Sequence, residues 1–175
     1  MVFVCIFICR LLTKHVLSLD KHATQRYNCV MIPQFVDIGS PLRVLPPGVH
    51  DATLNQIESR FAISMHRKHL FSGFKKGVIV LFKAGCKGVF LDGSFITEKN
   101  QPNDYDVCWH TIGVDTNLLD PVFLDFSNKR EKQKQVYFGE YFPSHIIADN
   151  INSFYTFFQK DRDSGNPKGI IRVII

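Results

Sequence analysis

Val89-Phe90-Leu91-Asp92-Gly93-Ser94-Phe95, the run Ile96-Thr97-Glu98-Lys99-Asn100-Gln101-Pro102-Asn103, and then Asp104-Tyr105-Asp106-Val107-Cys108-Trp109 decide how this chain is read. The first part is an apolar strand ending in Gly-Ser, spanning about 88–95. The second is a polar loop with turn residues at Asn100, Pro102 and Asn103. The third is a strand over about 104–110 that opens with Asp-x-Asp. A strand alternates its faces with period 2, so Asp104 and Asp106 are expected side by side. Two carboxylates held that close repel unless a cation lies between them. Mg²⁺ is bound by one or two carboxylates together with substrate phosphate oxygens. Gly93 allows close backbone approach and Ser94 adds a hydroxyl donor. Phosphate at Gly93-Ser94 and a divalent cation at Asp104 and Asp106 point to metal-dependent nucleotidyl transfer.

The 175 residues suit one domain with a proper core, and 45% hydrophobic with 21% charged residues is ordinary globular composition. Sixteen Phe residues predict an aromatic core, and the net charge of +5 permits a polyanionic partner without requiring one. The five cysteines, Cys5, Cys9, Cys29, Cys86 and Cys108, form no CxxC pair, and an odd count argues against a disulfide framework. Cys86 and Cys108 are expected as reduced core residues in a reducing cytoplasm.

The apolar run Val2–Cys9 is far shorter than the roughly 20 residues a membrane-spanning helix needs, so no stable membrane span is expected. Met31 looks like a fresh start. Residues 1–30 are expected to be an extension foreign to the native protein, and 31–175 the functional domain. A membrane-targeting segment and an extra packed helix are the alternatives.

Outward from the central stretch, residues 33–48 form a proline-punctuated lead-in. Asp51 is the expected N-cap of a helix carrying Leu54, Ile57 and Phe61. Leu70, Phe71, Phe74, Val78 and Leu81 recur at helical spacing, predicting a long helix over 64–84 that Gly85 ends. Arg67, Lys68, Lys75, Lys76 and Lys83 are its expected solvated face, a phosphate-tracking patch being the alternative. Asp120-Pro121 starts a short helix, about 121–127. The charge run 129–134 is a solvated turn or strand entry, followed by a strand over 135–142 and a helix over 149–160. Residues 169–175 close the described pattern as an apolar strand.

Two-metal phosphoryl transfer usually needs a third carboxylate from a neighbouring strand. Glu140, mid-strand among apolar residues, is preferred over Asp125, which ends a short helix. Lys99 either reaches a triphosphate or is exposed loop charge. Arg162 and Lys168 are expected to pair with Asp161 and Asp163, phosphate being the alternative. Walker, dinucleotide-fold, HExxH, GxSxG and zinc-spacing patterns are absent.

Gly93-Ser94 followed by Asp104-Tyr105-Asp106 resembles the polymerase-beta-like nucleotidyltransferase superfamily, and the run 92–106 with the tail 157–171 resembles a small bacterial branch of it. The resemblance covers 31–175. It implies an α+β fold: a short mixed β-sheet flanked by helices, nucleotidyltransferase-like. It implies Mg²⁺ as cofactor and NTP as substrate, held by Gly93, Ser94 and Lys99. Asp104, Asp106 and Glu140 would be catalytic metal ligands. The implied partners are NTP, a tRNA or protein acceptor, and a cognate protein of the toxin–antitoxin kind. The sequence departs from the superfamily in continuing Phe95-Ile96-Thr97 as strand where a short helix is usual. The rival reading is a catalytically inactive fold serving as a binding module or toxin–antitoxin component.

Overall fold

Val89 to Asp92 alternate apolar side chains between two covered faces, which suits a central strand. In the computed structural model, which describes residues 31–175, they form β2 (Val89–Asp92), buried at every position. The expectation for residues 1–30 lies outside the described residues. β2 pairs antiparallel with β3 (Asp106–Trp109) on one side and with β5 (Gly169–Ile174) on the other. Two parallel pairings complete the sheet: β1 (Gly48–Thr53) lies on β5, and β4 (Glu140–Pro143) lies on β3. The five-stranded mixed sheet has the order β1-β5-β2-β3-β4, and the protein is α+β.

Strand parity sorts the sheet into two faces. Leu91, Val107, Trp109, Tyr141, Ile171 and Val173 face the main core. There they meet α1 (Leu54–Phe61) and the long α2 (Met65–Lys83) through Ile57, Phe61, Leu70, Phe74, Val78 and Leu81. Helix α2 comes so close that a Cβ on Gly77 would lie 2.1 Å from the Tyr141 hydroxyl. The opposite face carries a smaller cluster of Phe90, Cys108, Phe142 and Ile170 under Phe158. Asp92, Asp106 and Glu140 share parity with that second face. Cys86 and Cys108 are free and buried, as expected of reduced core residues.

The long helix and the last strand form where the sequence pattern puts them, and four elements differ. Residues 48–53 are strand, not helix entry: Asp51 forms a two-point ion pair with Arg172 of β5 at 2.6 Å, and Thr53 caps α1 in a capping box with Gln56. The charge run belongs to helix α3 (Glu131–Tyr137), whose Gln133 is fully buried. That glutamine accepts from the Tyr141 amide at 2.7 Å and donates to the Asp125 carbonyl at 3.2 Å. The expected strand over 135–142 therefore shortens to β4, entered through Phe138 at φ +65°. The helix over 149–160 contracts to one turn, α4 (Phe154–Phe157), because Asp149 captures the Ile151 and Asn152 amides and leaves Ile151 exposed. The 121–127 helix is a 3₁₀ turn, Pro121–Leu124, capped by Asp120. Among the described residues no helix is long and apolar enough to cross a membrane.

Candidate active site

β2 ends at Asp92, and the chain turns at Gly93 with φ +85°, a conformation that favours glycine. A Cβ there would meet Asp106 Oδ2 at 2.5 Å, so the turn closes directly over that carboxylate. Ser94–Ile96 then form a 3₁₀ turn, correcting the expectation that Phe95-Ile96-Thr97 prolongs the strand. The Ser94 carbonyl accepts from the Thr97 hydroxyl at 2.8 Å.

Arg67 fixes this turn. It was expected on a solvated helix face, yet it is buried and its guanidinium donates to three carbonyls: Phe61 at 2.5 Å, Lys99 at 2.7 Å, and Phe95. It also lies 4.8 Å from the Phe95 ring centroid. Burial lowers its pKa. The Lys99 backbone is thereby held, while its ammonium makes no ion pair among the described residues.

The sheet register aligns three carboxylates: Asp92 lies opposite Asp106, and Asp106 opposite Glu140. Asp104 precedes β3, so its place beside Asp106 comes from the loop and not from strand parity. Glu140 is brought to Asp106. Asp125 is held elsewhere, 2.9 Å from Lys132 and capping Ser127.

Three cations serve this group. Lys168 pairs with Asp92, not with Asp161 or Asp163 as expected, whereas Arg162 does pair with Asp163 at 3.5 Å. Lys134 Nζ is 2.5 Å from Glu140 Oε1 and 3.6 Å from Asp104 Oδ2. Arg130 Nη2 is 2.9 Å from Glu140 Oε2, with its guanidinium 4.6 Å from the Phe142 ring. Arg130 ends a run of three left-handed non-glycine residues, Asn128, Lys129 and Arg130, with φ of 46°, 56° and 61°.

Four carboxylates thus face three cations, and Asp106 is the one without an ion-pair partner among the described residues. Burial first, then the charges of Asp92, Asp104 and Glu140, push its carboxyl up to about 8. Burial likewise raises Asp92 against the lowering pull of Lys168.

Asp92, Lys168, Lys134 and Arg130 were not singled out as site residues from sequence. Asp92 carried a signal, since it stands two-sided in an apolar strand and touches Gly93 in sequence. The other three carried none: the partner of Lys168 lies 76 residues away, and Lys134 and Arg130 belong to a charge run that suits solvent equally well.

Among the described residues no three His, Cys, Asp or Glu side chains are gathered as a ready metal cage. Glu140, Asp104 and Asp92 are instead held by lysine and arginine counter-ions. The donor set still fits Mg²⁺ arriving with a phosphate ligand: Asp106 has no counter-ion, Asp104 is beside it, and two carboxylates suffice when phosphate supplies the rest.

No curated protein and no solved structure matches the chain. A match to a family of unknown function, DUF6932, runs over residues 38–174, from ahead of β1 to the end of β5 and through every residue of this site. The chain belongs to the DUF6932 family.

Proposed function

We propose that the protein is a Mg²⁺-dependent nucleotidyltransferase of the polymerase-beta-like kind, moving an NMP from NTP to an RNA or protein acceptor. One observation carries the reading: the positive-φ glycine turn at Gly93-Ser94 closes over Asp106, the carboxylate flanked by Asp92 and Glu140 and left without a cation. The 3₁₀ turn at Ser94–Ile96 adds support, because the superfamily's glycine motif is usually followed by a short helix.

In this reading the Ser94 amide and hydroxyl bind the triphosphate, and Lys99 extends toward it from the same loop. Asp104 and Asp106 hold Mg²⁺, which when bound supplies positive charge against the phosphates. Glu140 orients the acceptor by accepting a hydrogen bond from its hydroxyl. As that oxygen attacks the α-phosphorus its proton passes to Glu140, the bond from the α-phosphorus to the bridging oxygen breaks, and pyrophosphate leaves. A cytoplasmic setting is supported by the two reduced, buried cysteines.

The test is transfer of α-labelled phosphate from each of the four NTPs to total tRNA and to candidate proteins. Labelling by the wild type that Asp104→Ala and Asp106→Ala each abolish is expected. Absence of labelling with every nucleotide overturns the reading.

The internal neutralisation of Asp92, Asp104 and Glu140 favours a second reading, an inactive nucleotidyltransferase-like module bound to a cognate protein as in toxin–antitoxin pairs. Calorimetry separates the two, since the module takes up neither Mg²⁺ nor NTP and its partner binding tolerates Asp106→Asn.

A further inference from the structure

Lys134 stands where two of the candidate metal-binding carboxylates meet. Its ammonium touches Glu140 Oε1 and approaches Asp104 Oδ2, so it bridges them much as a shared cation would. The three groups differ in freedom. The Glu140 side chain is 11% exposed and its second oxygen is tied to Arg130. Arg130 is itself fixed by its stack on Phe142 and by the left-handed turn that delivers it. The Lys134 side chain is 41% exposed on a flexible four-carbon stem, with open solvent to swing into.

Charge counting agrees. With all four carboxylates ionised, Asp92, Asp104, Asp106 and Glu140 give −4, and Lys168, Lys134 and Arg130 give +3, leaving −1. Adding a divalent ion with Lys134 in place would make +1. Adding it as Lys134 leaves makes 0. Exchange of the lysine for the metal is thus the arrangement that balances the site.

We propose that Lys134 is a displaceable counter-cation, bridging Asp104 and Glu140 in the metal-free protein and competing with a divalent cation for Asp104. This rests on the metal-binding half of the nucleotidyltransferase reading, and it makes a claim that reading does not: a lysine at this position should weaken metal binding. Arg130, by contrast, stays on Glu140 throughout.

The experiment titrates Mn²⁺ alone, followed by electron paramagnetic resonance, and Mg²⁺ alone, followed by calorimetry, into the full chain without nucleotide. Lys134→Met is expected to bind the metal roughly tenfold tighter than wild type, a factor that corresponds to about 1.4 kcal/mol. Lys134→Gln, which retains a polar contact to Glu140, should show a gain in the same direction. Lys134→Arg, which restores the charge, should return affinity to the wild-type value. Adding Asp104→Asn to Lys134→Met should erase the gain. Circular dichroism melts confirm that each variant is folded, and with two neutral variants the loss of one leaves the other to decide.

Unchanged or weaker metal binding in the folded neutral variants overturns the proposal, as does a gain that Asp104→Asn leaves intact. Nucleotide transfer is scored separately. A protein that shows the metal gain but labels no acceptor keeps the counter-cation and loses the transferase reading. One that labels an acceptor without the gain does the reverse.

Discussion

Asp106 is held in an arrangement that costs stability. Its folded pKa, pushed up to about 8 from 3.8, means the native state binds a proton more tightly than the unfolded chain does. The contribution of this group is fully present below about pH 4 and is drained as pH rises toward 8. Asp106→Asn removes that drain. In the absence of metal the variant should melt above wild type at pH 8, by a few degrees, with the gap closing at pH 4. Thermal melts across pH read this directly, and an Asn variant that melts lower at pH 8 would refute it. The same variant should transfer no nucleotide, so stability and activity move in opposite directions. Gly93 is the complementary residue. Gly93→Ala strains a positive φ and drives a Cβ against Asp106, and it should cost roughly 1–3 kcal/mol in urea unfolding and weaken nucleotide binding. Both residues were legible from sequence because their neighbours in the chain defined them. Lys134 and Lys168 were not, since a lysine in a charge run or in a turn looks the same whether it ends in solvent or on a buried carboxylate.

At the scale of elements, the loop from Gly93 to Lys99 behaves as part of α2 because Arg67 reaches across to it. Arg67→Met would leave three carbonyls without their donor, at a cost of about 3 kcal/mol or more. Hydrogen exchange should then speed up at the Ile96 and Thr97 amides, whose acceptors are the Gly93 and Ser94 carbonyls, while α3 amides stay protected. Uniform exchange across both regions would point to global unfolding instead. The α2 pattern was legible because five apolar residues mark one stripe, but a single buried arginine within it is invisible to periodicity. The α3 charge run misled for a related reason. Charges at 129–132 suit the exposed side of a helix as well as a turn, and the buried Gln133 gives no apolar signal. β1 was hidden by prolines at 46 and 47 and by Asp51, whose strand position is stabilised by Arg172 some 121 residues away.

For the whole molecule, the sheet order puts the last described strand inside the sheet, second from one edge. β5 carries β1 on one side and β2 on the other, and among the described residues β1 has no other strand neighbour. Removing residues 169–175 should therefore eliminate the cooperative urea transition, leaving helical signal without a sharp midpoint. The milder Ile171→Ala, at a fully buried position, should lower stability by about 2–5 kcal/mol with the transition intact. The general α+β class was legible from alternating apolar runs, whereas the order was not, because parallel pairing of β1 with β5 joins segments that share no turn. Lys168, the cation that answers Asp92, directly precedes β5. During vectorial synthesis on the ribosome, β2, β3 and β4 emerge before that strand does. Asp92 consequently waits for Lys168 until β5 threads between β1 and β2. Docking of β5 and neutralisation of Asp92 are then one event.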